Sequence, residues 1–407
     1  MKRNDVVGLA AVSLLLTSLA TADEGTTLAT AIASGKAGVN VRARYEAVDL
    51  DNSLKDANAL TARLRLNYRS GEWNGWSALV EYDHVFHLVR DFNAGGGTTP
   101  AKDGVYQTVA DPKGSDLNQL YLDYSVSDDW KYRVGRQRVL LDNQRFVGGV
   151  GWRQNEQTYD GLLVSTSAIP KTSLSYAYVG QVRRIFGQQS PAGNTNVDAQ
   201  LLNARVAINE SWTVTPYFYY IDNRDAATAS TATLGARLAG TVKAGNGAFE
   251  VVLELARQSD AANNPANYDA NYAHVGALWS TGNRLGLGIA YESLGTDSSN
   301  FESFRTPLAT LHAFQGWADM FLSTPAAGID DLFATVKYKV GKWKLTGVYH
   351  DFSAETGGGD FGTEFDVSAG TSFATNYGIL FKGAFFSSDS SSYPDANKFW
   401  IMFTADY

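Results

Sequence analysis

The chain has 407 residues, with 34 Lys+Arg against 42 Asp+Glu, a formal net charge of −8 and no cysteine. Without cysteine there is no disulfide scaffold, no Cys-ligated zinc site and no thiol nucleophile, and the acid excess argues against a general nucleic-acid binder; no cofactor, metal site or nucleic-acid partner is expected. Only 44% of residues are hydrophobic although 12% are aromatic, and past the first 22 residues no run of 18 apolar residues occurs, which excludes a helical span but not a membrane β-barrel, whose strands are only half apolar.

The N-terminus reads as a targeting segment. Lys2 and Arg3 form a basic start, residues 6–20 an apolar run, and Ala20-Thr21-Ala22 a small-x-small cleavage site. A short anchor helix is the alternative, but the run is too short to span a bilayer. The expected organisation is therefore a signal peptide over 1–22 and one domain over 23–407, exported from a Gram-negative-type cell to its outer membrane.

Beyond this segment the chain alternates with period two. Val39, Val41, Ala43 and Tyr45 fall on one face, and Asn40, Arg42, Arg44 and Glu46 on the other. Leu60, Ala62, Leu64, Leu66 and Tyr68 likewise oppose Thr61, Arg63, Arg65 and Asn67. A soluble sandwich also alternates, but it does not put successive arginines on one face of long strands whose other face is unbroken apolar surface. About 18 strands of the ten-residue membrane-barrel class follow. Their cores are 39–48, 60–69, 76–86, 116–126, 130–139, 156–166, 173–182, 199–208, 212–222, 232–242, 248–258, 271–280, 284–293, 330–340, 343–352, 361–369, 376–386 and 397–407. Connections after even-numbered strands are short. Those after odd-numbered strands tend to be long and polar, notably 87–115, 140–155, 183–198 and 294–329. Short periplasmic turns alternating with long outer loops define an all-β fold, a single transmembrane antiparallel barrel.

The aromatics agree. Trp76, Trp130, Trp212 and Trp343 each open a strand after a short turn, where an indole finds the membrane–water interface of the bilayer. The terminal Tyr407, on the apolar face of the last strand, suits recognition by the barrel assembly machinery.

A barrel of 18 strands is too wide for side chains to fill, so it encloses a channel that its loops must narrow; 140–155 and 294–329 are the candidates. Lumen-facing cations include Arg42, Arg44, Arg63, Arg65, Arg133, Lys337 and Lys339, with Lys344, Lys382 and Lys398; facing acids include Glu46, Glu81, Asp83, Asp123, Glu364 and Asp366. Two readings stand for the arginines of the first two strands. Rings of cations select anions, and arginine matches carboxylates bidentately. Equally, these arginines can form a structural ladder with Glu46, Glu81 and Asp83. Strict alternation on the fifth strand would put Arg136 and Arg138 in lipid at about 2–4 kcal/mol each, so a bulge at Gly135 is expected to turn both inward.

Residues 135–160 carry Gly135-Arg136-Gln137-Arg138, then Asp142-Asn143-Gln144-Arg145-Phe146, then Trp152-Arg153-Gln154-Asn155-Glu156. This stretch closely resembles the alginate export family of outer-membrane porins, as do Thr306-Pro307-Leu308 and Gly316-Trp317-Ala318-Asp319. The resemblance implies a monomeric 18-stranded barrel with an arginine- and lysine-lined constriction that passes a polyuronate. In the motif itself, Arg136, Arg138, Arg145 and Arg153 supply charge for carboxylates, while Gln137, Gln154 and Asn155 supply hydrogen bonds to sugar hydroxyls. A packed outer loop with Arg145 on Asp142 is the other reading. The expected function is a non-enzymatic channel for passive diffusion of an anionic oligosaccharide or polysaccharide such as alginate. A general small-solute porin, an adhesin or structural barrel, and an outer-membrane hydrolase are the alternatives; His84, His87, His274, His312 and His350 sit in no recognisable nucleophile motif.

Overall fold

The computed structural model describes residues 27–282 and 284–407; the expected signal segment lies outside them. Strands β1 Lys36–Leu50, β2 Ala57–Arg69, β3 Trp76–Asp91, β4 Gly114–Ser125, β5 Trp130–Gln137 and β6 Thr158–Thr166 begin the sheet. β7 Thr172–Arg183, β8 Asn194–Ala207, β9 Trp212–Asn223, β10 Thr231–Ala244, β11 Gly247–Asp260 and β12 Asp269–Thr281 continue it. β13 Leu285–Leu294, β14 Ile329–Val340, β15 Trp343–Ser353, β16 Asp360–Phe373, β17 Tyr377–Ser388 and β18 Ala396–Asp406 complete it. Each strand pairs antiparallel with the next, and β18 pairs back onto β1 from Asn40–Asp406 to Leu50–Ala396. The 18-stranded sheet is thus closed and leaves no unpaired edge. Every strand expected from alternation is present.

Alternation divides the two faces of the wall. On β2, Thr61, Arg63 and Arg65 are buried inside, whereas Leu66 is exposed outside. Tyr82, Phe86, Leu120, Leu122, Leu234, Phe365 and Phe399 extend this exposed apolar exterior, a surface that only a bilayer can cover at low cost. Trp76, Trp130, Trp212 and Trp343 are the first residues of β3, β5, β9 and β15, in one belt at the short-turn end. Two of those turns, 245–246 and 341–342, are of hairpin length, and Gly245 and Gly341 take the positive φ they need, at 61° and 57°. The alternation gave no warning of the six-residue helix Leu28–Ala33; its Ala31 carbonyl accepts the Gly71 N–H at 2.8 Å and ties it to this end.

The expected bulge is not at Gly135. Register runs unbroken through it, with Tyr121 opposite Gly135 and Leu120 opposite Arg136 on one side, and Gly161 and Asp160 opposite on the other. Gly135 has φ +125°, and a Cβ there would lie 2.3 Å from the Leu120 carbonyl oxygen, so glycine serves close strand approach. The irregularities lie on neighbouring ladders, at Glu81/Tyr82 and at Asp160/Gly161. Arg136 consequently shares the outward face of Val134 and Leu120. It is held at the end of the short β5 by Asp160, at 2.8 and 3.1 Å, and Arg183 joins the same carboxylate. Arg138 reaches inward because β5 stops at Gln137 and the chain turns away there.

The lumen is filled on one side by segments 138–157 and 304–321, which leave the wall and cross it. They touch through the Val147–Leu308 bridge, with the Gly148 N–H donating to the Leu308 carbonyl at 2.8 Å. Phe146, Phe304 and Leu308 pack on Tyr217, Tyr219 and Tyr272 of the wall. The two connections expected to narrow the pore are thus the ones that enter it.

Candidate functional site

The arginines of β1 and β2 meet the first crossing segment. Arg42 and Arg63 are register partners on the lumen face, an unfavourable pairing of like charges by itself. The turn 151–154 offsets it by turning its carbonyls toward them. Arg42 donates to Gly151 O at 2.9 Å, to Gln154 Oε1 at 3.0 Å and to Arg153 O; Arg63 donates to Gln154 O at 3.2 Å; Arg44 donates to Trp152 O. Gln154 is fully buried, its backbone N–H given to Asp111 at 2.8 Å and its amide to Thr61 at 2.9 Å.

Carboxylates close this bracket. Arg65 grips Asp83 through two bonds of 2.7 and 2.6 Å and reaches Glu156 at 2.6 Å. Arg138 joins Glu156 and Glu81, and Arg44 and Arg153 share Glu46. Burial pushes the Glu156 carboxyl up, but Arg65 and Arg138 more than offset it and hold the group at about 2. Glu46, Glu81 and Asp83 therefore do brace the β1–β2 arginines, as the ladder reading expects, and crossing-segment carbonyls take several of the other donors.

The second crossing segment is latched to β13 and β16 of the wall and to the first crossing segment. Arg145 pairs with Glu292 at 2.8 Å and with Gln315 at 2.9 Å, not with Asp142, which instead accepts from Asn203. The backbone N–H groups of Trp317 and Ala318 donate to Asp366 and Glu364 of β16. His312 donates from Nδ1 to Asp319 at 2.7 Å, and its Nε2 faces Lys382 Nζ at 2.7 Å. A ring nitrogen facing an ammonium must be a bare acceptor, and burial pushes the imidazole down to about 3, so His312 is the neutral tautomer. Trp152 stacks on it at 4.7 Å between centroids, and Lys382 lies 3.7 Å from the Trp317 ring centre. Arg153 completes the latch on Asp319 at 3.2 Å.

Of the residues expected in the site, Arg42, Arg44, Arg63, Arg65, Arg138, Arg145, Arg153, Gln154 and Asn155 come together around the crossing segments. Gln137 is buried below them against its own strand, donating to backbone carbonyls. Arg133 lies on the lumen face but is spent on Asp123 and on the Tyr121 ring, 4.0 Å away. Arg136 stays at the rim of the wall on Asp160, away from the crossing segments. Sequence reasoning placed Glu292 among the lumen-facing acids but passed over Glu156, Gln315 and Asp319 as partners. The signal present was the 316–319 motif, whose Asp319 is the anchor of the latch.

Lys337 and Lys339 stand apart. They lie on the lumen face toward the short-turn end, exposed and without an ion pair among the described residues. With Lys342, Lys344, Thr346, Ser368 and Thr404, Lys339 lines a cavity of 510 Å³, and among the described residues none of those lining it is acidic.

The comparisons with known proteins fit this geometry. The barrel superposes on the crystal structure of Acinetobacter baumannii OccAB2 with a TM-score of 0.73 at 15% identity, covering 93% of this chain and 98% of that one. For Pseudomonas aeruginosa OccK9 (OpdG) the values are 0.71 and 14%, covering 93% and 100%. For A. baumannii OccAB3 they are 0.71 and 12%, covering 92% and 100%. At these identities the likeness is one of fold, that of outer-membrane porins. A search of curated proteins finds no match. The alginate export family profile matches residues 35–292, well over half of the chain. An outer-membrane channel with an internally braced 18-stranded wall, this chain belongs to the alginate export family.

Proposed function

We propose that the channel passes an anionic oligosaccharide or polysaccharide of the uronate type, alginate being the family's namesake, by passive diffusion. The observation that carries this reading is the lysine cavity at the short-turn end. Lys339, Lys342 and Lys344 offer unneutralised ammonium groups, and Thr346, Ser368 and Thr404 offer hydroxyls beside them. A uronate ring carries one carboxylate and several hydroxyls, so it matches both kinds of group. The arginines of β1 and β2 support it less directly, because carboxylates and carbonyls already occupy most of their donors.

The test is single-channel recording of the full barrel in a planar bilayer under a salt gradient, with uronate oligomers and neutral oligosaccharides of equal length as blockers. Anion preference at 0.1 M salt is expected, with uronate block exceeding neutral block. The preference should shrink at 1 M, where the Debye length falls to about 3 Å. Equal block by both sugars, with no ion preference, would return the channel to the general small-solute class.

A further inference from the structure

A second polar cavity lies at the long-loop end, outside the lysine region. Its volume is 230 Å³, and it lies between segments 97–98, 113–116 and 186–189. Asn155 of the crossing segment also reaches it. That residue directly follows Gln154, whose side-chain oxygen accepts from Arg42 and whose backbone N–H donates to Asp111, so one wall of this cavity is fixed by the bracket described above.

Two polar atoms converge inside it. Gly187 takes φ +73°, and the point where a Cβ would stand is 3.6 Å from Asn155 Nδ2 and 3.7 Å from Asp116 Oδ2. The missing side chain leaves a place from which one ligand hydroxyl can accept from the amide and donate to the carboxylate. Asp116 stands 4.0 Å from Arg136, its one ion-pair neighbour among the described residues, so it keeps acceptor capacity. Gln188 and Gln189 add exposed amides, and Lys113 an exposed ammonium with no ion pair among the described residues. Phe186 supplies the apolar wall.

We infer that this cavity is an outer capture subsite for a single hydroxylated ring bearing a carboxylate, one uronate unit at a time. The inference rests on the uronate reading above and adds a second, spatially separate point of recognition. Asp116 and Asn155 take ring hydroxyls, the carboxylate turns to Lys113, and the cavity admits one ring, not a chain. A passing polymer would then be engaged at its end on the long-loop side before it meets the crossing segments.

Sidedness tests it. Glucuronate and glucose are added separately to each face of the reconstituted barrel, and blocking kinetics are compared for Lys113→Gln and Asp116→Asn. From the long-loop face, Lys113→Gln should weaken glucuronate block about tenfold, the loss of one charge-assisted bond, and leave glucose unchanged. Asp116→Asn should weaken both sugars from that face. Neither should alter block from the short-turn face. Lys113 is exposed and unpaired, so its substitution does not threaten folding. If uronate oligomers block the wild type but both variants match it from the long-loop face, the subsite is refuted and the uronate channel stands. If Lys113→Gln weakens block equally from both faces, the subsite is likewise refuted. If the wild type prefers glucuronate to glucose from neither face, the uronate channel itself falls.

Discussion

The lumen has two cationic regions, one made of arginine and one of lysine, and they are built on opposite plans. In the arginine region, Arg42, Arg44, Arg63 and Arg65 are nearly inaccessible and are joined to Glu46, Asp83, Glu156 and the carbonyls of 151–154. In the lysine region, Lys337, Lys339 and Lys344 are exposed and have no carboxylate within ion-pair distance among the described residues. A guanidinium presents five donors in a planar fork, which suits it to pin a loop at several points; an ammonium on a flexible stem is suited to meet a moving solute. Counting cations along the strands merges these two populations. Only the position of their counter-charges separates scaffold from recognition surface.

The comparison is strained most by Arg65→Ala. This removes the partner of Asp83, leaves that buried carboxylate uncompensated and leaves Glu156 to Arg138 alone, a loss on the order of 3–5 kcal/mol. The expected result is a lower unfolding temperature of the purified barrel, together with noisier open-channel current as segment 138–157 comes loose. An unchanged melting curve would mean that the bracket does not hold the loop.

Acid should produce the next largest effect. His312 is neutral in the folded latch, pushed down to about 3, whereas a released imidazole titrates near 6.5. The released state therefore binds the extra proton between these values. Latch stability is full above about pH 7 and declines as pH falls from 6.5 toward 3. Glu156, held at about 2, adds a loss of the same sign below about pH 4.5. Current fluctuations should increase between pH 7 and 4, and His312→Gln should remove the part that begins near 6.5. A wild type that stays quiet across that range would contradict the latch. Ion preference set by the lysine cavity should not follow this transition, since neither a histidine nor a carboxylate is among its described lining residues.

The smallest effect on stability, and the sharpest contrast, is expected of Lys339→Gln with Lys344→Gln. Exposed and unpaired, these residues should contribute within about 0.5 kcal/mol to unfolding. Yet the double variant should move the reversal potential toward cations and weaken uronate block. A large loss of stability with unchanged selectivity would reverse the roles assigned to the two regions.

Strand number, order and the inward or outward face of most side chains were legible because period-two alternation has a single physical cause, lipid on one side and water on the other. Arg136 shows where that reasoning fails. The lipid cost applies to a strand continuing to residue 139, but β5 ends at Gln137, and Asp160, shared with Arg183, and the Leu117 carbonyl satisfy the guanidinium at the rim. The cluster of motif arginines was legible too, because it is local in sequence. Its partners were not: Arg42 meets Gln154 across 112 residues, and Arg145 meets Gln315 across 170, through loops with no periodicity to read. Asn155 was singled out for its chemistry, but only the fold brings it beside Gly187 and Asp116.

The seam between β1 and β18 has a bearing on how the molecule comes into being. Val39 and Tyr407 exchange both backbone hydrogen bonds, at 2.7 and 2.8 Å, joining points 368 residues apart. Until that contact forms, the sheet is a ribbon with two live edges, each a row of free N–H and C=O groups ready to take any passing strand. The cylinder is therefore the last thing the chain acquires: seventeen neighbouring pairings can zip progressively, whereas the eighteenth must bring the two ends together against the largest loop entropy in the protein. Both edges stay open for as long as that eighteenth pairing is unmade.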